Sequence, residues 1–518
     1  MKKIVGFILA ILLVFSSSTP LSYAENPSFK LGNEVLLTKF QDLLKGKRIG
    51  LITNQSGVDS QGRSTVDLLA GSKAWKLVAL YGPEHGIDGK AKAGEYVKSY
   101  THPTLKIPVY SLYGETRMPS ADMLKNVDLL IFDIQDIGAR TYTYISTLNY
   151  CMVAAAKYGK QIIVLDRPNP LGGEIVEGPV LEDPYISFVG VDNLPMAHGM
   201  TVGELALYFN RKIGANLKVI PMEGYTRQMI YEDTGLKWVA TSPNIPDLAS
   251  VRGYMATGLG EGTGIYQADK FKWIGGKGID AEKFAKLLNE AGLPGVEFIP
   301  EMQGQAGGVR LKITNPRTFN PAKTGIYALA YARSLSQFTV PKSGKTIIMF
   351  DKIMGTDKMG KWLEQNLTPQ QIEAQYASAL AQFKKERAKY LIYDNIPREV
   401  SNVTGIPIYL NGELISTDVP PYLNADNRVL VPLRAIGEAL GATVNYDSGS
   451  KSITVSKGNL NIHMTLASKK VLLNGSESLM DTTPVLKNGR TMIPLRYIGE
   501  YFGRTVEWNP ATRSVNIY

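Results

Sequence analysis

Glu84 and His85 stand side by side in LYGPEHGIDG (Leu80–Gly89), directly after the apolar run Lys76–Leu80, in a chain that has only four histidines. A carboxylate at a strand tip among glycines can meet a substrate ring closely. In a partly apolar pocket it can keep the proton that a leaving oxygen needs. The plainer alternative, a carboxylate that only ties down its loop, weighs equally. A second acidic stretch is FDIQDIGARTYTY (Phe132–Tyr144), with Asp133, Asp136, Arg140 and Tyr142. LDRPNPLGG (Leu165–Gly173) adds Arg167 and Asn169 in a proline-stiffened loop, and GLGEGTG (Gly258–Gly264) adds Glu261. Glycoside hydrolysis asks for such a set: one acid to protonate the departing oxygen and a second group to attack or to activate water. Arg140 or Arg167 would clamp a substrate carboxylate in two-pronged fashion. Tying Arg140 down is the structural alternative for at least one of Asp133 and Asp136.

Other chemistries find no pattern. The histidines are scattered, with no HExxH or paired-cysteine spacing, so no metal site and no cofactor is expected. The glycine order of Gly258–Gly264 does not match a dinucleotide loop, and no GxSxG elbow occurs.

The elements that must position these residues repeat a pattern. RIGLI, KLVAL, DLLIF and QIIVL each end in a polar cluster, and helical segments such as STVDLLAGS and YISTLNYCMVAAAKYG lie between them. Uniformly apolar strands alternating with helices predict a parallel sheet covered on both faces, an α/β lobe over residues 25–215. Ligands of such sheets sit at the carboxyl ends of the strands, where all four polar clusters lie. Thr201 and Glu204 form a capping box for a helix after His198. Residues 216–396 read as an α+β second lobe that completes a cleft. In the tail, Val429–Val455 repeats as Thr491–Ile517 at an offset of 62, both with PLRxIGE. Residues 403–518 are therefore a small, duplicated α+β module.

Met1–Ala24 has two lysines, an apolar stretch and a small-residue cleavage site, the pattern of a secretory leader, with no membrane span expected once it is removed. The single cysteine, Cys151, allows no internal disulfide and reads as a buried apolar residue. With 57 basic against 47 acidic residues the formal net charge is +10, spread along the chain. A secreted basic protein suits an anionic wall polymer better than nucleic acid.

Six ordered blocks, GPEHGIDG, SLYGETRMPSADML, DLLIFDIQDIGARTYTYIST, VLDRPNPLGG, HGMTVGELA and SPNIPDL, resemble the signature blocks of the NamZ exo-β-N-acetylmuramidases over about Leu36 to Tyr393. The resemblance implies a Rossmann-like lobe, a smaller second lobe and an active site between them. It also implies release of N-acetylmuramic acid from non-reducing ends of peptidoglycan fragments, in cell-wall turnover or recycling by a secreted, wall-associated protein. Glu84 carries over as the catalytic residue, Asp133, Asp136 and Arg140 from the second acidic block, and Arg167 and Asn169 from the proline loop. Asp133, Asp136 or Glu261 would supply the second group, unless the sugar's 2-acetamido group itself attacks. Asn54, His85, Tyr142, His198 and Asn244 complete the expected substrate-contact set. EGTGIYQADKFKW departs from the family's second-lobe pattern, which implies altered specificity. A muropeptide-binding protein without catalysis is the alternative reading, and a carboxylate-metal hydrolase a third. The tail resembles the copper amine oxidase N-terminal-like domain, read here as a stalk or wall-binding module. Its one histidine, His463, does not make a copper site.

Overall fold

Leu129–Asp133 is buried along its whole length, and its alternate residues feed two different cores. Leu130 and Phe132 pack with Leu148, Leu205 and Phe209, while Leu129 and Ile131 pack with Val35, Leu36 and Leu69. Each such fully buried side chain contributes about 1.5–3 kcal/mol of transfer free energy. A strand with no wet face must lie inside a sheet covered by helices on both sides. The computed structural model shows that sheet, and describes residues 29–393 and 406–518 apart from 412, 416, 425, 427 and 510–513. The expected leader, residues 1–24, lies outside the described residues.

The sheet holds β1 (Arg48–Thr53), β2 (Lys76–Gly82), β3 (Tyr100–Thr101), β4 (Pro108–Ser111), β5 (Leu129–Asp133), β6 (Gln161–Leu165) and β7 (Asn216–Ile220), in the order β3-β4-β2-β1-β5-β6-β7. All neighbours pair parallel except β3 with β4. Register sets Ile52 beside Tyr81 and Thr53 beside Asp133, so β1, β2 and β5 end on one rim. The last strand departs from the sequence reading, which opened the second lobe at residue 216. Asn216–Ile220 pairs with β6 residue by residue. As an edge strand it is only half-buried and keeps polar residues, so it lacks the apolar run that marked its neighbours.

Thr201 caps the helix Val202–Ile213: its hydroxyl accepts from the Glu204 amide at 3.3 Å, and Glu204 accepts from the Thr201 amide at 3.0 Å. Gly214 ends the helix at φ +68°, a conformation that costs glycine nothing.

The second lobe is an antiparallel sheet of β8 (Ile265–Ala268), β9 (Trp273–Lys277), β10 (Val296–Gln303) and β11 (Ala306–Ile313), in the order β10-β11-β9-β8. Helices Leu248–Thr257, Ala281–Glu290, Pro321–Ser336 and Pro369–Arg387 cover it or flank it. One hydrophobic core runs through both lobes. Residues 406–518 have their own core, and the two repeats share one element order. Val429–Pro432, helix Leu433–Ala439, Thr443–Asp447 and Ser452–Lys457 match Arg490–Pro494, helix Leu495–Tyr501, Val506–Asn509 and Ser514–Ile517. Among the described residues no helix is long and apolar enough to cross a membrane.

Candidate functional site

The loop leaving β2 begins with Glu84 and His85, both buried. His85 adopts φ +70°, rare for a residue with a side chain, and its ring Nδ1 lies 2.7 Å from the Ala91 carbonyl. A carbonyl only accepts, so Nδ1 carries the proton and Nε2 is the acceptor. This bond folds residues 85–94 back so that the Gly94 amide donates to Glu84 Oε1 at 3.0 Å. Gly89 sits at φ +70°, a conformation that favours glycine, and a Cβ there would lie 2.2 Å from the end of the Gln55 side chain, which would have to move. Gln55 in turn donates to the carbonyls of Ala240 and Thr241.

Glu84 Oε2 accepts from the Thr143 hydroxyl at 2.6 Å, just ahead of the helix Tyr144–Lys157. Half-buried aromatic rings stand beside the carboxylate. Burial, then the charge of Glu84, hold the Tyr113 phenol above its ordinary pKa, and Arg117 pulls it down. The Arg117 guanidinium lies 3.5 Å from the Tyr113 ring centre and 4.8 Å from that of Phe188, and Tyr150 stacks edge-on against Phe188. Behind Glu84, Tyr142, Tyr144 and Tyr254 pack edge to face. Tyr254 belongs to the second lobe. Burial raises its phenol to about 12, with the charges of both Glu84 and Asp136 adding to the rise. The two carboxylates thus flank one cluster of tyrosines at the junction of the lobes.

Asp136 is buried. Its Oδ2 accepts from the Gly138 amide at 2.7 Å and lies 3.6 Å from His198 Nε2. His198 Nδ1 accepts from the Met200 amide at 3.2 Å, so the neutral ring turns its Nε2–H toward Asp136. Asp136 Oδ1 and His198 Nε2 have no hydrogen-bond partner among the described residues. A buried oxygen of this kind calls for a donor that the protein does not supply.

The other residues expected at the site do different work. Asp133 is fully enclosed, with Arg167 Nε at 2.5 Å on one oxygen and the Thr65 hydroxyl at 2.6 Å on the other. Arg167 also donates to the Val58 carbonyl. Asp133 is fully satisfied, so no attacking carboxylate is left over, and Arg167 is 3% exposed with its Nε and one Nη engaged. Arg140 is wholly buried and donates to the carbonyls of Pro179, Leu194 and Ile353, the last in the second lobe. Burial without a counter-charge lowers its pKa to about 9. It joins the lobes and meets no carboxylate among the described residues. Asn169 closes its own turn on Leu171 and holds the Met200 carbonyl, and Asn54 closes a turn on Ser56. The Tyr142 hydroxyl is 2.7 Å from Thr241 Oγ1, inside the inter-lobe contact. Glu261 and Asn244 are exposed and make no hydrogen bond among the described residues. The turn holding Glu261 faces Pro341 of the second lobe. Tyr113, Arg117, Thr143 and Tyr254 were missed by sequence reading. Tyr113, Arg117 and Thr143 lay inside the motif blocks but carried no spacing that marked them.

Buried Asp166 collects donors from Arg167, Gly203, Thr201 and Tyr393, and burial raises its pKa to about 7. In the tail, His463 pairs with Thr454 at 3.1 Å, and among the described residues no three His, Cys, Asp or Glu groups converge as metal ligands. The module does not fit copper.

Residues 49–249 match the family model "Exo-beta-N-acetylmuramidase NamZ, N-terminal", residues 252–393 the corresponding C-terminal model, and residues 409–517 the copper amine oxidase N-terminal domain. A peptidoglycan β-N-acetylmuramidase NamZ of Bacillus subtilis is 42% identical over 418 residues, which is 76% of this chain and 100% of that protein. Two crystal structures of DUF1343 family proteins from Bacteroides fragilis share the fold. One has a TM-score of 0.65 at 36% identity, covering 71% of this chain and 99% of that one. The other has a TM-score of 0.54 at 27% identity, covering 70% and 99%.

Proposed function

The chain belongs to the NamZ exo-β-N-acetylmuramidase family and is a glycoside hydrolase, and from that premise we propose that it is a secreted enzyme releasing N-acetylmuramic acid from non-reducing ends of peptidoglycan fragments during wall turnover. The observation that carries the reading is the setting of Glu84: a buried carboxylate on a strand-end loop, held by Gly94 and Thr143 beside a half-buried aromatic wall. Rings suit sugar faces, and the acid stands where it can give a proton to the departing oxygen. Asp136 is the second carboxylate of the proposal, because its Oδ1 has no partner among the described residues whereas both oxygens of Asp133 are engaged. Hydrolysis of a natural disaccharide bearing N-acetylmuramic acid at its non-reducing end, by wild type and Glu84→Gln, with and without chelator, tests this. Turnover lost in the variant and indifferent to chelator supports it. Ligand binding without turnover by either protein favours the binding-protein reading.

We propose further that residues 406–518 hold the enzyme on anionic wall polymers. Two grooves support this, related by the same 62-residue offset as the repeats. One, of about 910 Å³, is lined by Arg434, Tyr446 and Arg490; the other, of about 340 Å³, by Arg496, Trp508 and Arg428. Tyr446 and Trp508 are exposed, and Arg434 and Arg496 have no ion pair among the described residues. An exposed ring with an unpaired guanidinium suits a charged saccharide. Sedimentation of the full chain with isolated walls, before and after removal of their anionic polymers, checks it. The Arg434→Ser, Arg496→Ser double variant should stay in the supernatant in both cases.

A further inference from the structure

We propose that Arg117 reads the lactyl carboxylate that distinguishes N-acetylmuramic acid from other 2-acetamido sugars, a specificity role that rests on the reading of the preceding section. That substrate carries an anionic group on the sugar that is cleaved, so a cation near Glu84 is required to tell it from its neutral relatives. The arginines of the acidic block and the proline loop have other partners: Arg140 is spent on three carbonyls, and Arg167 is 3% exposed and ion-paired to Asp133, with a second bond to Val58.

Arg117 has the opposite setting. It is half-exposed and has no ion pair among the described residues. Tyr113 and Phe188 hold its guanidinium flat, with ring centres 3.5 and 4.8 Å away. A stacked guanidinium keeps its edge N–H donors free in one plane, the geometry that a carboxylate meets with two parallel bonds. The link to Glu84 is direct. Arg117 stacks on the Tyr113 ring, and the Tyr113 phenol feels the Glu84 carboxylate and the Arg117 guanidinium at once, so both charges lie close to that one side chain. A pyranose lying on the Tyr113 and Phe188 rings, with its glycosidic oxygen at Glu84, would therefore carry a ring substituent toward Arg117. The rings supply the platform and the guanidinium the discrimination. Because Arg117 is only half-buried and its neighbours pack without it, its loss should not unfold the chain.

Lys92 is the rival cation, since it lies in the loop that delivers the Gly94 amide to Glu84. It is exposed, and no ring or carbonyl fixes its ammonium among the described residues.

The test measures kcat/KM for a chromogenic N-acetylmuramic acid β-glycoside and for the same glycoside with its lactyl carboxylate methyl-esterified. The readout is the acid-to-ester ratio. Wild type should prefer the acid by about 10- to 100-fold, the range expected for hydrogen bonds to a charged group. Arg117→Met should bring the ratio close to unity, and Arg117→Lys should restore part of it. A ratio that stays at the wild-type value in Arg117→Met, including a variant slower on both substrates by one factor, overturns the proposal. So does a ratio that collapses in Lys92→Met instead. A wild type that cleaves neither glycoside contradicts the muramidase reading itself, and the inference falls with it.

Discussion

At the scale of single residues, the charged groups of the rim divide into those that hold the protein together and those left over for a substrate. Arg140 is the clearest of the first kind. Its carbonyl partners come from three separate segments, and only that of Leu194 has a second donor, the Leu181 amide, among the described residues. Arg140→Met should lower unfolding free energy by about 3 kcal/mol or more, because buried acceptors lose their donors. Urea unfolding reads that loss directly. A variant of unchanged stability whose KM alone rises would instead make Arg140 a ligand contact. The motif residues were legible in the sequence, but their division of labour was not. Whether an arginine is spent or free depends on contacts such as Arg140 to Ile353, more than two hundred positions apart. Asp133 and Asp136 look alike three residues apart, and only the arrival of Arg167 and Thr65 at the first separates them.

At the scale of elements, burial and capping did the specifying. The strands β1, β2, β5 and β6 could be read because uniform apolar runs have no other stable home than a covered sheet. The Thr201–Glu204 box marked its helix for an equally local reason. The edge strand β7 escaped because an edge tolerates polar residues. The joint between β6, that capped helix and the Tyr393 segment is Asp166, which accepts from Thr201 and Tyr393 hydroxyls and two backbone amides. Its folded pKa of about 7 stands above the ordinary 3.8. Between those values the folded state keeps a proton that the unfolded chain releases, so this group's contribution to stability is full below the lower value and is lost as pH rises through the upper one. Asp166→Asn keeps two acceptor contacts and offers donors to the two hydroxyls. Its melting temperature relative to wild type should therefore rise between about pH 4 and pH 7 and level off above. A difference independent of pH would mean that Asp166 titrates normally.

At the scale of the whole molecule, the two lobes share a core while residues 406–518 keep a separate one. Calorimetry of the full chain should therefore show two transitions, and Arg140→Met should shift only the one belonging to the lobes. A single cooperative transition would mean that the module and the lobes unfold together. The internal repeat was plain in the sequence, yet the pairing of its grooves was not, since each draws its arginines from both copies of the repeat. The catalytic claim meets its sharpest test in the dependence on leaving group. A general acid matters most when the departing oxygen is a poor leaving group, as in a natural disaccharide, and least for nitrophenolate, which needs no proton. Comparing kcat/KM of wild type and Glu84→Gln on both substrates, the account predicts a loss of about 10²- to 10⁴-fold on the disaccharide and a far smaller one on the nitrophenyl glycoside. Equal losses on the two substrates would contradict it.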